Sequence, residues 1–192
     1  MKVIEIMEQS AILLGLGEEH LILESAKPEQ ETELLSNQKI ESLFHLSKYA
    51  FQELCTNYIP VLESVKLISE NCKIEVKKLN NFIRVQNAKK NGELVKYKII
   101  NRNIMFEEDG EYEIEYLTYP EITSMFEEID FLSNFSEDVI VCGLCAYFSL
   151  AHGMFDEFKA FHEEYVEKAD NLKELKSFNI PQRRWEWNKK SV

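Results

Sequence analysis

No stretch of this 192-residue chain is apolar over the about 20 residues that a bilayer crossing takes. Glu5 and Glu8 interrupt the N-terminal stretch where a secretory leader needs an apolar run. Four cysteines are too few for a disulfide scaffold at this length. These absences lead to the expectation of a soluble protein made in a reducing cytoplasm, without membrane contact. A glycine-rich phosphate loop is also missing, because Gly15-Leu16-Gly17 has neither a third glycine nor a preceding strand. The four histidines (His20, His45, His152, His162) are scattered, and no Ser/His/Asp constellation is legible. There is no internal repeat and no low-complexity segment.

What is present is a reversal of charge. Residues 173–192 hold six Lys/Arg (Lys173, Lys176, Arg183, Arg184, Lys189, Lys190) against Glu174 and Glu186, a net of +4. The whole chain is at −12, so the first 172 residues sum to −16. A body this acidic argues against binding duplex DNA by neutralising phosphates, although it would suit a surface past which DNA must move. Both tryptophans lie in the basic segment Ile180-Pro181-Gln182-Arg183-Arg184-Trp185-Glu186-Trp187. Arg and Trp are frequent interface anchors, and burying an aromatic ring contributes roughly 2 kcal/mol or more. Pro181 limits the freedom lost on ordering. Ile180, Pro181, Arg183, Arg184, Trp185 and Trp187 are therefore the candidate binding residues.

Periodicity predicts an α+β fold: N-terminal helices and a C-terminal αα-hairpin forming a bundle, an inserted antiparallel β-meander, and an extended C-terminal tail. Residues 2–14 read as an amphipathic helix ended by Gly15 and Gly17. Residues 18–33 read as a solvated connection around Pro28. A second helix spans 34–58, with Leu43, Leu46, Ala50, Leu54 and Tyr58 as its stripe, and Pro60 stops it. Residues 61–70 remain open. From 72 to 119 the period falls to two: Ile74 and Val76 in one strand, Phe82–Val85 in a second, an Asn91-Gly92 hairpin turn, then Val95, Tyr97 and Ile99 on one strand face. Ile104-Met105-Phe106 follows, and Tyr112, Ile114 and Tyr116 alternate with Glu111, Glu113 and Glu115. The alternation makes those glutamates a solvated strand face rather than a catalytic pair.

Ser136 reads as the N-cap of a helix over 136–151 that is apolar all round and so must be enclosed. Helix 154–172 follows, with a seam of Phe155, Phe158, His162, Tyr165, Ala169 and Leu172. Residues 1–172 make one domain, and 173–192 a basic docking tail. Cys142-x-x-Cys145 falls inside the apolar helix, away from the N-terminal amides that depress a thiol pKa, and no second ligand pair accompanies it. Both read as small buried hydrophobes. Nothing here argues for an enzyme, a metal or a cofactor.

The order of these parts, from a first helix ending in Leu14-Gly15-Leu16-Gly17 onward, resembles the head–tail adaptor (connector ring) proteins of tailed bacteriophages. The tail tubular protein A type of short-tailed phages is the nearest in pattern. The resemblance rests on Gly110-Glu111-Tyr112-Glu113-Ile114-Glu115-Tyr116 with Tyr119-Pro120, and on Phe135-Ser136-Glu137-Asp138-Val139-Ile140 leading into Ala146-Tyr147-Phe148-Ser149-Leu150-Ala151. It also rests on Asp156-Glu157-Phe158-Lys159-Ala160-Phe161 through Tyr165, and on Ile180–Trp185. It implies a virion protein made in the host cytoplasm and assembled at the head–tail interface. There it forms a ring, usually of twelve copies, beneath the portal protein, with the C-terminal tail gripping the portal. Further tail proteins seat on the ring, and double-stranded DNA passes through without sequence-specific binding.

Two other classes fit parts of the chain: a small acidic inhibitor that mimics DNA and binds a DNA-handling protein, and a thiol or metal protein using Cys142 and Cys145. On the adaptor reading, Trp185→Ala weakens portal binding more than Lys189→Ala, because a buried anchor outweighs a rim charge. Equal losses in a binding titration would sink that ranking.

Overall fold

Residues 139–148 are apolar on every side, so the helix they form persists only inside other elements. The computed structural model describes residues 1–129 and 137–177 and encloses that helix from three directions. The helical body consists of α1 (Val3–Leu13), α2 (Gly17–Glu24), α3 (Glu31–Leu34), α4 (Gln38–Asn57), α5 (Asp138–Ala151) and α6 (Phe155–Ser177). The buried helix is α5, which packs against α1, α4 and α6. Ten of its residues are buried, from Val139 to Ser149, including Leu144, Cys145 and Phe148. Burying its Val, Ile, Leu and Phe side chains contributes about 1.5–3 kcal/mol each. The protein is α+β, with an antiparallel β unit inserted between α4 and α5.

Capping decides several boundaries that periodicity places differently. Gly15 takes φ 69°, and the Leu16 N–H returns to the Ala11 carbonyl at 2.8 Å, which closes α1. Gly17 begins α2 rather than ending α1. The expected solvated connection over 18–33 is thus partly helical, and it buries Leu23 against the helical core. Helix α4 starts at Gln38, not 34, because the Asn37 side chain accepts from the Lys39 and Ile40 amides at 3.0 and 3.3 Å. Ser136 lies outside the described residues; Glu137 occupies the N-cap position of α5. Helix α6 runs five residues past 172, so the expected boundary at 173 falls within it. Phe155, assigned by spacing to the seam, is 67% exposed, whereas Tyr165, Ala169 and Leu172 are buried.

The β unit comprises β1 (Val61–Ile68), β2 (Lys73–Glu75), β3 (Phe82–Lys90), β4 (Glu93–Leu94), β5 (Lys98–Ile100), β6 (Asn103–Met105) and β7 (Glu111–Thr118). All its pairings are antiparallel, but the connectivity departs from a plain meander. A four-stranded sheet has the order β1-β7-β3-β4, and a three-stranded sheet the order β2-β6-β5. The open segment 61–70 supplies β1, which pairs along its length with β7, from Val61↔Thr118 to Ile68↔Glu111. Val76 leaves the strand of Ile74 for a 3₁₀ turn, Val76–Lys78. Val95 and Tyr97 fall between β4 and β5, where the chain crosses from one sheet to the other. Asn91 and Gly92 take φ 54° and 83°, the primed-turn geometry their sequence favours.

The β unit has its own apolar cluster, centred on Ile74, Ile104, Tyr112, Ile114 and Tyr116. The helical cluster is separate from it. The chain returns from β7 through a segment that the helical body clasps. The Val3 and Ile4 amides donate to the Glu127 and Met125 carbonyls at 3.2 and 2.7 Å, which satisfies orphan donors at the start of α1. The Glu31 carboxylate accepts from Ser124 Oγ and the Met125 amide, both at 2.8 Å.

The α5–α6 contact depends on Gly143. A Cβ there would sit 3.1 Å from two carbons of the Tyr165 ring. Tyr165 is almost fully buried and donates its hydroxyl hydrogen to the Glu53 carboxylate of α4. Its ring lies against Tyr58 at 6.1 Å and Tyr147 at 6.5 Å. With Tyr165 held on these sides, overpacking costs about 1–3 kcal/mol, more than the about 1 kcal/mol of helix propensity that alanine gains over glycine. Gly143→Ala is expected to lower the urea midpoint, a net loss of about 1 kcal/mol. An unchanged or higher midpoint would show that Tyr165 can retreat.

Candidate interaction surfaces

The residues expected to bind a partner, Ile180, Pro181, Arg183, Arg184, Trp185 and Trp187, lie outside the described residues. The structure neither groups them nor separates them. Helix α6 carries the chain as far as Ser177, at the edge of that segment.

The thiols are placed in full. Cys55, Cys142 and Cys145 are buried and Cys72 half-buried, and none of the four is in a disulfide. Burial pushes the Cys145 thiol from its ordinary 9.0 up to about 12. Cys142 is also raised by burial, although Lys168 Nζ approaches its sulfur to 3.5 Å. That ammonium is engaged by Glu164 at 2.7 Å. An activated thiol requires the opposite shift, so these sulfurs act as packing atoms. Among the described residues, no three His, Cys, Asp or Glu side chains gather as metal ligands. No helix among them is long and apolar enough to cross a membrane.

Two of the histidines serve packing, while His20 and His45 lie beside Glu8 and Glu41 at 3.6 and 3.8 Å. His152 caps α5, stacks on Phe148 at 4.1 Å and contacts Ser42 Oγ at 3.3 Å. His162 stacks on Phe158 at 5.2 Å. The alternate glutamates of β7 are more engaged than a solvated face implies. Glu113 accepts from Ser64 Oγ at 3.0 Å, and Glu115 pairs with Lys89 while accepting from Asn87 at 2.8 Å. These are cross-strand partners that secure β7 between its two neighbours.

Charge is segregated by architecture. The helical segments, 1–60 and 120–172, carry the entire −16, and residues 61–119 sum to zero. Within that neutral unit, residues 71–106 hold nine Lys/Arg against Glu75 and Glu93, a net of +7. Three of the nine are ion-paired: Lys77 with Glu75, Lys89 with Glu115 and Lys90 with Glu108. The β2-β6-β5 sheet presents a row Lys73–Met105–Lys98 in register, with Lys73 and Lys98 exposed. Arg102, on the tight β5–β6 turn, is exposed beside them, as are Lys77 and Lys78. A cleft of about 710 Å³ opens at this end, lined by Lys73, Lys77, Leu79, Phe82, Ile99 and Arg102 among others.

The acidic counterpart runs along α6. Asp156, Glu163, Glu167 and Asp170 are all exposed and recur at helical spacing on one face. None has an ion-pair partner among the described residues. From Asp156 to Asp170 the stripe is about 21 Å long. Sequence reading missed both surfaces because the total charge of residues 1–172 hides a basic segment. A running sum of charge over residues 71–106 would have revealed it.

No protein-family model matches the chain, and no curated protein matches its sequence.

The buried hydroxyls and thiols give stability an alkaline limit. Burial first, and then the hydrogen bond to Glu53, raise Tyr165; burial first and the nearby Glu53 charge raise Tyr147. A group raised in the fold keeps its proton while the unfolded chain has already lost it, so unfolding becomes easier as pH rises. The contribution of Cys145 is therefore intact below pH 9 and lost between there and about 12. Urea midpoints are expected to be level from pH 7 to 9 and then to fall, less steeply in Cys145→Ala. Parallel pH profiles for the variant and the parent would overturn this assignment.

Proposed function

We propose that the chain is a head–tail adaptor of a tailed phage, a structural virion protein rather than an enzyme. In this reading the helical bodies form a ring beneath the portal, and the C-terminal segment grips the portal through Arg183, Arg184, Trp185 and Trp187. DNA passes the ring, and further tail proteins seat upon it. The observation that carries the reading is the partition of charge: −16 in the helical body, zero in the β unit and +4 in the last twenty residues. Acidic walls repel phosphates and let DNA slide without sticking. Two copies at −12 also repel each other at long range, and a basic aromatic segment offsets that repulsion at an acidic partner.

The acidic stripe on α6 also favours a second reading, an inhibitor that displays carboxylates in place of phosphates to a DNA-handling protein. One experiment separates them: co-sedimentation with the portal protein of the same genome, using the full chain and a chain ending at residue 176. The truncation leaves α6 nearly whole. Saturable, multi-copy binding that the truncation abolishes is the expected result. Absence of binding by the full chain, with a monomer persisting at high concentration, would transfer the case to the inhibitor.

A further inference from the structure

We infer that the basic face of the β2-β6-β5 sheet is a docking surface for the acidic stripe of α6 on a second copy of this chain. The two surfaces are complementary in sign, both exposed, and both without intramolecular ion-pair partners at their central residues. Lys73, Lys98 and Arg102 face solvent with no carboxylate within salt-bridge distance among the described residues, as do Asp156, Glu163, Glu167 and Asp170 with no cation. The three-stranded sheet is about 10 Å across, and its turn residues extend it, so it fits within the roughly 21 Å of the helical stripe.

The make-up of the basic face favours a protein over a nucleic acid. Its cations adjoin an aliphatic side chain: Ile100, two residues from Lys98 and so on the same face of β5, is 52% exposed. Surfaces for single strands instead alternate cations with exposed aromatic rings, and the exposed aromatics of the described residues, Tyr49 and Phe155, lie on the helical body. Unpaired charges beside an exposed aliphatic resemble the rim and centre of a protein interface.

The contact is heterologous, with one surface meeting a different surface of the next copy. Repetition therefore yields a ring where the rotation closes and an open chain where it does not. In solution the contact is weak, because each copy carries −12 overall. At about 0.1 M salt the Debye length is about 10 Å, which screens the distributed repulsion more than the opposed charges at the contact. The inference rests on the reading that copies of the chain stand side by side, but it needs no portal.

The test is carbodiimide coupling, which joins a lysine amine to a carboxylate at contact distance. It is run at moderate salt on a mixture of ¹⁵N-labelled and unlabelled full-length chains, and the links are mapped by mass spectrometry. Mixed-label links between Lys73 or Lys98 and Glu163, Glu167 or Asp170 are expected. They should fall at least tenfold in K73E/K98E/R102E and in E163K/E167K/D170K taken singly. Mixing the two variants restores association, seen as mixed species in sedimentation, since each then offers the surface the other lacks. Both variants are surface changes, and circular dichroism checks their folding.

No mixed-label link at these residues, or association that neither variant weakens, overturns the proposal. So does duplex or single-stranded DNA binding by the parent chain that K73E/K98E/R102E abolishes, which would make the face a polyanion site. Portal co-sedimentation is read alongside. Self-docking without portal binding removes the adaptor reading and leaves this contact, and portal binding without it does the reverse.

Discussion

The enclosure of α5 is the constraint from which the helical body follows. Between Val139 and Ser149 the helix has no polar face, so α1, α4 and α6 each give an apolar stripe to it. Close approach on the α6 side requires a glycine at 143, and the tyrosine that fills the resulting gap is tied to α4 through Glu53. The Tyr165 side chain therefore links three helices, α5 through its ring and α4 through its hydroxyl. The polar exceptions are few: the fully buried Ser10 and Ser149 hydroxyls and His162 Nδ1 lack hydrogen-bond partners among the described residues.

The β unit obeys different physics. Its core is separate, its total charge is zero, and its central strand β7 is held by pairs such as Lys89 with Glu115. The helical body carries the acid, and within the neutral β unit residues 71–106 carry +7. This division gives one chain two surfaces of opposite sign, at the sheet tip and along α6. Adaptor and self-docking readings both draw on that division, one for the tail end and one for the flank.

Helices with a strong period were legible in the sequence. The all-round apolar character of residues 139–148 announced the buried helix, and Asn91-Gly92 announced its turn. What failed did so for identifiable reasons. Asn37 moved the start of α4 through a side-chain cap that periodicity does not register. The 61–70 segment has no clean alternation because β1 is an edge strand, with Leu62 and Ile68 59% and 66% exposed. Its partner lies about fifty residues away, and no local pattern announces pairing at that range. Val95 and Tyr97 alternate like a strand, yet their backbone spans the gap between two sheets. The Arg/Trp segment was the clearest functional signal in the sequence, and it lies outside the described residues. The surfaces that geometry does offer become visible only when charge is summed by element.

The β1–β7 ladder also acts as a tether in the assembly of the fold. Helix α5 is separated from α4 by about 80 residues of chain, a long loop to close before the helical core can form. Once Val61 is paired with Thr118, the free path shortens to about twenty residues, and the entropic cost of closing it falls by about 1 kcal/mol. With the sheet in place, the helices on either side are joined by a short path, so the insertion of residues 61–118 adds little closure entropy to the helical core.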